Sequence, residues 1–256
     1  MSSSNCSVIV TSTFTKDATR DYRFQLAVQM CQAAKAAGYP VIVVDESLDG
    51  RARSFLSDVG ATARTAIESG MGPARRQCIQ AGIENGDIIC WIEPEKVGMV
   101  SVLAPCVDMV ARDGYDIVVP WRTRLFADYP PYQALSEARA NQEMAELTGL
   151  NLDLMCGPRI MSRRGAECLM SYQGRSRVSA DVAYDDNWGV LFVPILWALQ
   201  DGLRVGSCPV EYVHPAVQTA LEGRNPEMDR KRDIQRTALV AAMRQESRLI
   251  GLEPAA

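Results

Sequence analysis

Short uninterrupted β-branched runs alternate with longer stretches of helical periodicity through the first 120 residues, and this alternation constrains the fold most. Ser7–Thr13 is a continuous strand-length run. Residues 21–37 place Phe24, Ala27, Val28, Cys31 and Ala34 at helical spacing, with Gly38 as the stop. Val41-Ile42-Val43-Val44 is a second buried strand, closed by Asp45-Glu46-Ser47. Pro73 opens a helix through Ile83 that ends at Gly86, and residues 87–92 form the next strand, running into Glu93-Pro94-Glu95-Lys96. A helix over 99–112, weakened by Pro105 unless it starts near it, leads to a strand over 115–120. Strands without in–out alternation, separated by helices, imply a mostly parallel α/β sheet with helices on both faces. Ligands of such sheets bind beyond the carboxyl ends of the strands, so the loops beginning at Thr11, Asp45, Glu93 and Trp121 are expected to face one site.

The second half keeps this character with less regularity. Helices are expected over 134–147, 165–172 and 190–200, an extended stretch over 154–162 around Gly157-Pro158, and a strand over 204–213 interrupted by Pro209. From Arg224 a charged segment precedes Ile234, Ala238, Leu239, Ala242, Leu249 and Ile250, which suggest an amphipathic helix docking on the body. No repeat or linker is visible, so the expectation is a single domain over 1–256, divided into 1–120, 121–222 and a helical tail over 223–256.

Composition removes several classes of function. A net charge of −4 lacks the basic surplus of a nucleic-acid binder. No stretch approaches the roughly 18 apolar residues of a membrane span, and the first ten residues do not read as a signal peptide. Eight cysteines without a C-x-x-C pair suit a reducing compartment, so a cytoplasmic protein is expected. His214 is the only histidine, which rules out a multi-histidine metal site. No Gly-x-Ser-x-Gly, Walker A or G-x-G-x-x-G motif occurs.

Glu93 and Glu95, spaced i and i+2 at a strand end, are able to aim together at the cleft and suit Mg²⁺ or Mn²⁺ with substrate phosphates; a plain solvated loop is the competing reading. His214 leaves a strand and would be a further ligand or an ordinary structural residue. Gly70 to Arg76 joins a glycine turn to a helix start, where backbone amides with Arg75 and Arg76 favour an anion, or merely cap the helix. Asp45 would accept from a base or ribose, or cap a turn. Arg122 and Arg124 would bind an acceptor carboxylate or phosphate, or form ion pairs. Asp185-Asp186-Asn187-Trp188-Gly189 sets carboxylates beside an aromatic face that suits a sugar, or is a helix-entry loop.

Taken in order, these segments resemble the GT-A nucleotide-sugar glycosyltransferases of the broad family-2-like group, and within it the mannosylglycerate synthase and glucosyl-3-phosphoglycerate synthase branch. The resemblance rests on Ser7-Val8-Ile9-Val10, Val43-Val44-Asp45-Glu46-Ser47, Gly72-Pro73-Ala74-Arg75-Arg76-Gln77 and Glu93-Pro94-Glu95 in the place of the Asp-x-Asp motif. Asn187-Trp188-Gly189, Asp201-Gly202-Leu203-Arg204-Val205 and His214 continue it, over roughly residues 6–220. It implies a GT-A fold and metal-dependent transfer of a sugar from a nucleoside diphosphate sugar to a small, soluble, anionic acceptor; a homodimer is compatible with it. It further implies Thr11 and Asp45 at the nucleotide, Arg75 or Arg76 at its phosphates, Glu95 and His214 on Mg²⁺ or Mn²⁺, and Glu93 at the ribose or the ion. Arg122 with Asp185 or Asp186 would then serve the reaction on the acceptor side. Two departures, glutamates in the metal motif and Leu191 where an acidic residue follows Trp-Gly, motivate rival readings: a binding or regulatory protein that has lost sugar transfer, or one repurposed for another reaction.

Overall fold

The computed structural model describes residues 6–222 and 226–252. Residues 1–5, 223–225 and 253–256, with Arg224 at the expected start of the tail, lie outside the described residues. Strands β1 (Ser7–Thr13), β2 (Val41–Asp45), β3 (Thr62–Thr65), β4 (Ile88–Trp91), β5 (Ile117–Arg122), β6 (Arg159–Ser162) and β7 (Val205–Val210) make one sheet. Their order is β3-β2-β1-β4-β6-β5-β7. All neighbours are parallel except β6, which runs antiparallel to both β4 and β5.

The central strands lack alternation because both faces are covered. Val8 and Val10 pack in one apolar cluster and Ile9 in the other, all three fully buried. Helices α1 (Tyr22–Ala36), α2 (Ala52–Asp58), α3 (Met71–Asn85), α4 (Ala104–Ala111), α5 (Leu125–Asp128) and α6 (Pro131–Thr148) belong to the first part of the chain. They are followed by α7 (Arg163–Met170), α8 (Asp186–Gly189), α9 (Val193–Gln200), α10 (Ala216–Glu222) and α11 (Pro226–Leu249). Asp21 caps α1 by accepting from the amides of Arg23 and Phe24. Among the described residues no helix is long and apolar enough to cross a membrane.

Several expectations change in detail. The helix expected over 99–112 is a 3-10 turn, Val97–Val102, followed by α4 with Pro105 in its first turn, because proline is tolerated at a helix start and not within it. Only Arg159–Ser162 of the extended stretch is strand; Leu154–Cys156 is a 3-10 turn and the chain reverses at Gly157, φ +91°. Pro209 stays inside β7 because β7 is the edge of the sheet, where a missing amide costs no ladder bond. The apolar face of α11 is turned from the expected one: Leu239, Val240, Met243 and Ile250 are buried, whereas Ile234 is 61% exposed and Leu249 42%. Glu246, fully buried, sets that rotation by accepting from Trp197 Nε1 at 2.7 Å and Tyr184 Oη at 2.9 Å.

Candidate functional site

The parallel strands β1, β2 and β4 end along one edge, and a cavity of about 490 Å³ opens there. Ser12 and Thr13 at the end of β1 and Phe14 beyond it line this cavity, with Glu46 after β2 and Glu93-Pro94-Glu95 after β4. The first turn of α3 forms another wall with Gly70, Met71, Ala74 and Arg75. Gly70 offers no side chain to cap that helix; its own amide donates to Glu46 and Pro73 has none, which leaves the Met71 and Gly72 amides to face an anion at the helix start.

A second cavity, about 350 Å³, lies between the β4 exit, α6, Tyr129, His214 and α11. Arg23, Met71, Glu93, Glu95 and Trp188 line both cavities. The two carboxylates therefore stand in the wall where the cavities meet. Burial and the charge of Glu93 push the Glu95 carboxyl above its ordinary range. Glu93 has the Lys96 ammonium 3.3 Å from its Oε2. Its side chain has room because residue 157 is glycine: a Cβ there would overlap the carboxylate. Arg159, fully buried, holds the same turn by donating to the carbonyls of Leu154, Gly157 and Pro158, and to that of Leu191 across the turn.

Arg75 is fixed for electrostatic work in the first cavity. Its guanidinium carbon lies 4.5 Å from the Trp188 ring and 5.7 Å from the Trp91 ring, and Nη1 donates to the Asn187 carbonyl. Burial lowers its pKa to about 10, against the opposing charges of Glu93 and Glu95, so it remains a cation at neutral pH. Its Nε, buried, makes no hydrogen bond among the described residues.

His214 lines the second cavity, with its ring stacked on Tyr129 at 4.0 Å and edge-on to Tyr212 at 6.3 Å. Glu93, Glu95 and His214 thus share one cavity. Among the described residues, however, no three His, Cys, Asp or Glu side chains are gathered into a metal-binding cluster.

Other residues singled out in the sequence are engaged elsewhere. Thr11 lies within β1, fully buried, and lines neither cavity. The Asp45 carboxylate is also fully buried, accepting from Thr13 Oγ1 at 2.9 Å and Ser47 Oγ at 2.5 Å with Arg53 beside it at 3.5 Å; the neighbouring Glu46 faces the cavity instead. Arg76 and Asp186 grip each other through two hydrogen bonds of 2.5 and 2.9 Å, joining α3 to α8. Asp185 caps α8, accepting from the Trp188 amide at 2.8 Å. Neither aspartate reaches the two cavities. Arg122 lines the second cavity but its charge is met by Glu137 at 2.8 Å and Asp153 at 2.7 Å. Arg124 pairs with Asp128 on the surface. Leu191 is a core residue. Sequence reasoning did not select Arg23, Glu46, Lys96, Lys231 or Arg232; Glu46 and Lys96 directly adjoin selected residues, while the others come from helix faces whose aim only the packing fixes.

A mostly parallel seven-stranded sheet, one antiparallel strand within it and a ligand edge carrying an acidic strand exit make the GT-A glycosyltransferase fold. Among solved structures that share it is glucosyl-3-phosphoglycerate synthase of Mycobacterium tuberculosis, similar with a TM-score of 0.57 at 15% identity over 99% of this chain and 83% of that one. Its complex with uridine diphosphate matches with a TM-score of 0.57 at 14% identity, over 99% and 82% of the two chains. The complex with Mn²⁺, UDP-glucose and phosphoglyceric acid gives 0.55 at 15% identity over 99% and 82%. No family model and no curated protein sequence matches this chain significantly.

Proposed function

We propose that this chain transfers a sugar from a nucleoside diphosphate sugar to a small anionic acceptor, assisted by Mg²⁺ or Mn²⁺. The observation that carries this reading is the position of Glu93 and Glu95 in the wall shared by two cavities. Transfer needs two substrates in contact at one charged junction. The first cavity, at the sheet's ligand edge, takes the donor, and the second the acceptor. Residues 1–120 supply most of the donor side and 121–222 part of the acceptor side, within a single domain that α11 completes. The mycobacterial enzyme, whose complexes contain UDP, UDP-glucose and phosphoglyceric acid, supports the same pairing of substrate classes.

Each wall has a task. The Met71 and Gly72 amides at the start of α3 and the guanidinium of Arg75 bind the diphosphate, and Arg75 keeps its aim because two indoles and a carbonyl fix it. Glu46, whose Oε2 accepts from Ser69 Oγ at 2.9 Å and the Gly70 amide at 3.0 Å, shapes the turn before α3 and offers its second oxygen to the ribose. On the acceptor side Lys231 and Arg232 of α11, with Arg23, present positive charge to an anion. Two oxygen-ligand carboxylates in one wall, Glu95 raised by burial and by the charge of Glu93, fit a hard divalent cation whose remaining ligands are donor phosphate oxygens. Glu93 and Glu95 would hold it with His214 nearby; when bound, such an ion neutralises charge on the departing diphosphate. Arg75 and the α3 amides stabilise that same charge from fixed positions.

A binding protein that has lost transfer is the second reading, favoured by the engagement of Asp185 and Asp186 in helix contacts. Incubation with a panel of nucleoside diphosphate sugars, Mn²⁺ and phosphoglycerate, followed by NMR, separates the two. A glycosylated acceptor supports transfer. Nucleotide binding without any product supports the binding protein.

A further inference from the structure

Lys96 follows the acidic pair directly, and its ammonium lies inside the cavity that Glu93, Glu95 and His214 share. Nζ is 3.3 Å from Glu93 Oε2, 3.4 Å from Tyr129 Oη and 5.3 Å from the centre of the Tyr212 ring. His214 stacks on Tyr129, 4.0 Å between ring centres. The Lys96 side chain is 10% exposed and that of Glu93 17%. A buried ammonium persists only where its charge is matched, and Glu93 with two aromatic rings matches it here. The ammonium therefore stands beside the carboxylate to which a divalent cation would be drawn, on the side of the imidazole's stacking partner.

We propose that Lys96 is a resident counter-ion that competes with the divalent cation for Glu93, so that the ion binds together with the nucleoside diphosphate and not ahead of it. This rests on the metal-assisted reading given above. One largely buried carboxylate cannot fully pair with an ammonium and a dication at once, and the two cations repel each other at that range. A diphosphate in the first cavity, beside Glu93 and Glu95, changes the balance, because its oxygens give the dication further ligands and its negative charge offsets the repulsion from the ammonium. Nucleotide and ion then favour each other's binding. Lys96 acts here as a positioning residue, through Glu93.

The test is a titration with Mn²⁺, following the free aqueous ion by electron paramagnetic resonance, on the wild type and Lys96→Met with and without UDP. Without nucleotide, Lys96→Met should bind Mn²⁺ about tenfold tighter than the wild type, or more. The enhancement of Mn²⁺ affinity by UDP, large in the wild type, should shrink in the variant. A merely structural lysine would not raise ion affinity when removed. Equal or weaker Mn²⁺ binding by the folded variant overturns the proposal. If Lys96→Met melts too low to titrate, Mn²⁺ should raise its melting temperature by more than it raises that of the wild type, and an equal or smaller rise overturns it. Intact Mn²⁺–UDP binding in the wild type with no effect of Lys96→Met removes this proposal alone. UDP binding with no Mn²⁺ binding in either protein removes the metal-assisted reading, and this proposal falls with it.

Discussion

Arg122 shows how much the role of one guanidinium depends on its partners. Its side chain, 1% exposed, is held by Asp153 through Nε at 2.7 Å and Nη2 at 2.8 Å, and by Glu137 at 2.8 Å. Arg236 of α11 adds a second cation to Glu137 at 3.1 Å. In sequence Arg122, at the end of β5, and Arg124 just beyond it are indistinguishable as anion binders; Glu137 and Asp153, which decide the matter, arrive from α6 and the turn behind it. Arg122→Ala leaves two carboxylates buried with less compensation and should cost about 3–5 kcal/mol in urea unfolding. Burial alone would raise the Asp153 carboxyl, but the charge and hydrogen bonds of Arg122 outweigh it and hold the group below its ordinary value of 3.8. A depressed carboxyl contributes stability that is present above the unfolded value and lost as pH falls through the folded one. The stability gap between the wild type and Asp153→Asn should therefore be full at neutral pH and close below about pH 4, by denaturant melts across that range. Gly157 is a smaller version of the same dependence. Its positive φ and the Glu93 carboxylate at its Cβ position predict that Gly157→Ala costs about 1–3 kcal/mol and weakens nucleotide binding together with it.

Among the elements, the strands were the most legible. β1, β2 and β4 are buried on both faces, so their apolar runs are continuous. The exit of β4 was legible for the same reason: two carboxylates right after a fully buried strand lie at its ligand edge. What could not be read was direction and rotation. β6 is antiparallel because the chain reverses at Gly157, and a four-residue strand carries no mark of its direction. The docked face of α11 follows from Glu246, a buried acid that apolar periodicity treats as solvent-facing. That rotation matters for function, since it brings Lys231 and Arg232 to the second cavity while Arg236 joins the Glu137 network. Lys231→Ala combined with Arg232→Ala should weaken binding of phosphoglycerate about tenfold or more while leaving UDP binding within about twofold, measured by calorimetry.

For the whole molecule, the sheet edge and the layers around it matter more than any single motif. The fold sets β4 at the centre of the ligand edge, the start of α3 on one side, and α6 with α11 on the other. Two cavities then meet at the acidic exit of the central strand, although Asp45, Arg76, Asp185 and Asp186 all turn to internal contacts. The decisive experiment on the acidic junction is binding of UDP, followed calorimetrically with and without Mn²⁺, in the wild type and Glu95→Gln. The wild type should bind UDP more tightly with Mn²⁺ present, and Glu95→Gln should lose most of that Mn²⁺-dependent gain while remaining folded. A folded wild type that binds no nucleoside diphosphate with or without Mn²⁺, or a Glu95→Gln protein that keeps the full gain, would contradict that expectation.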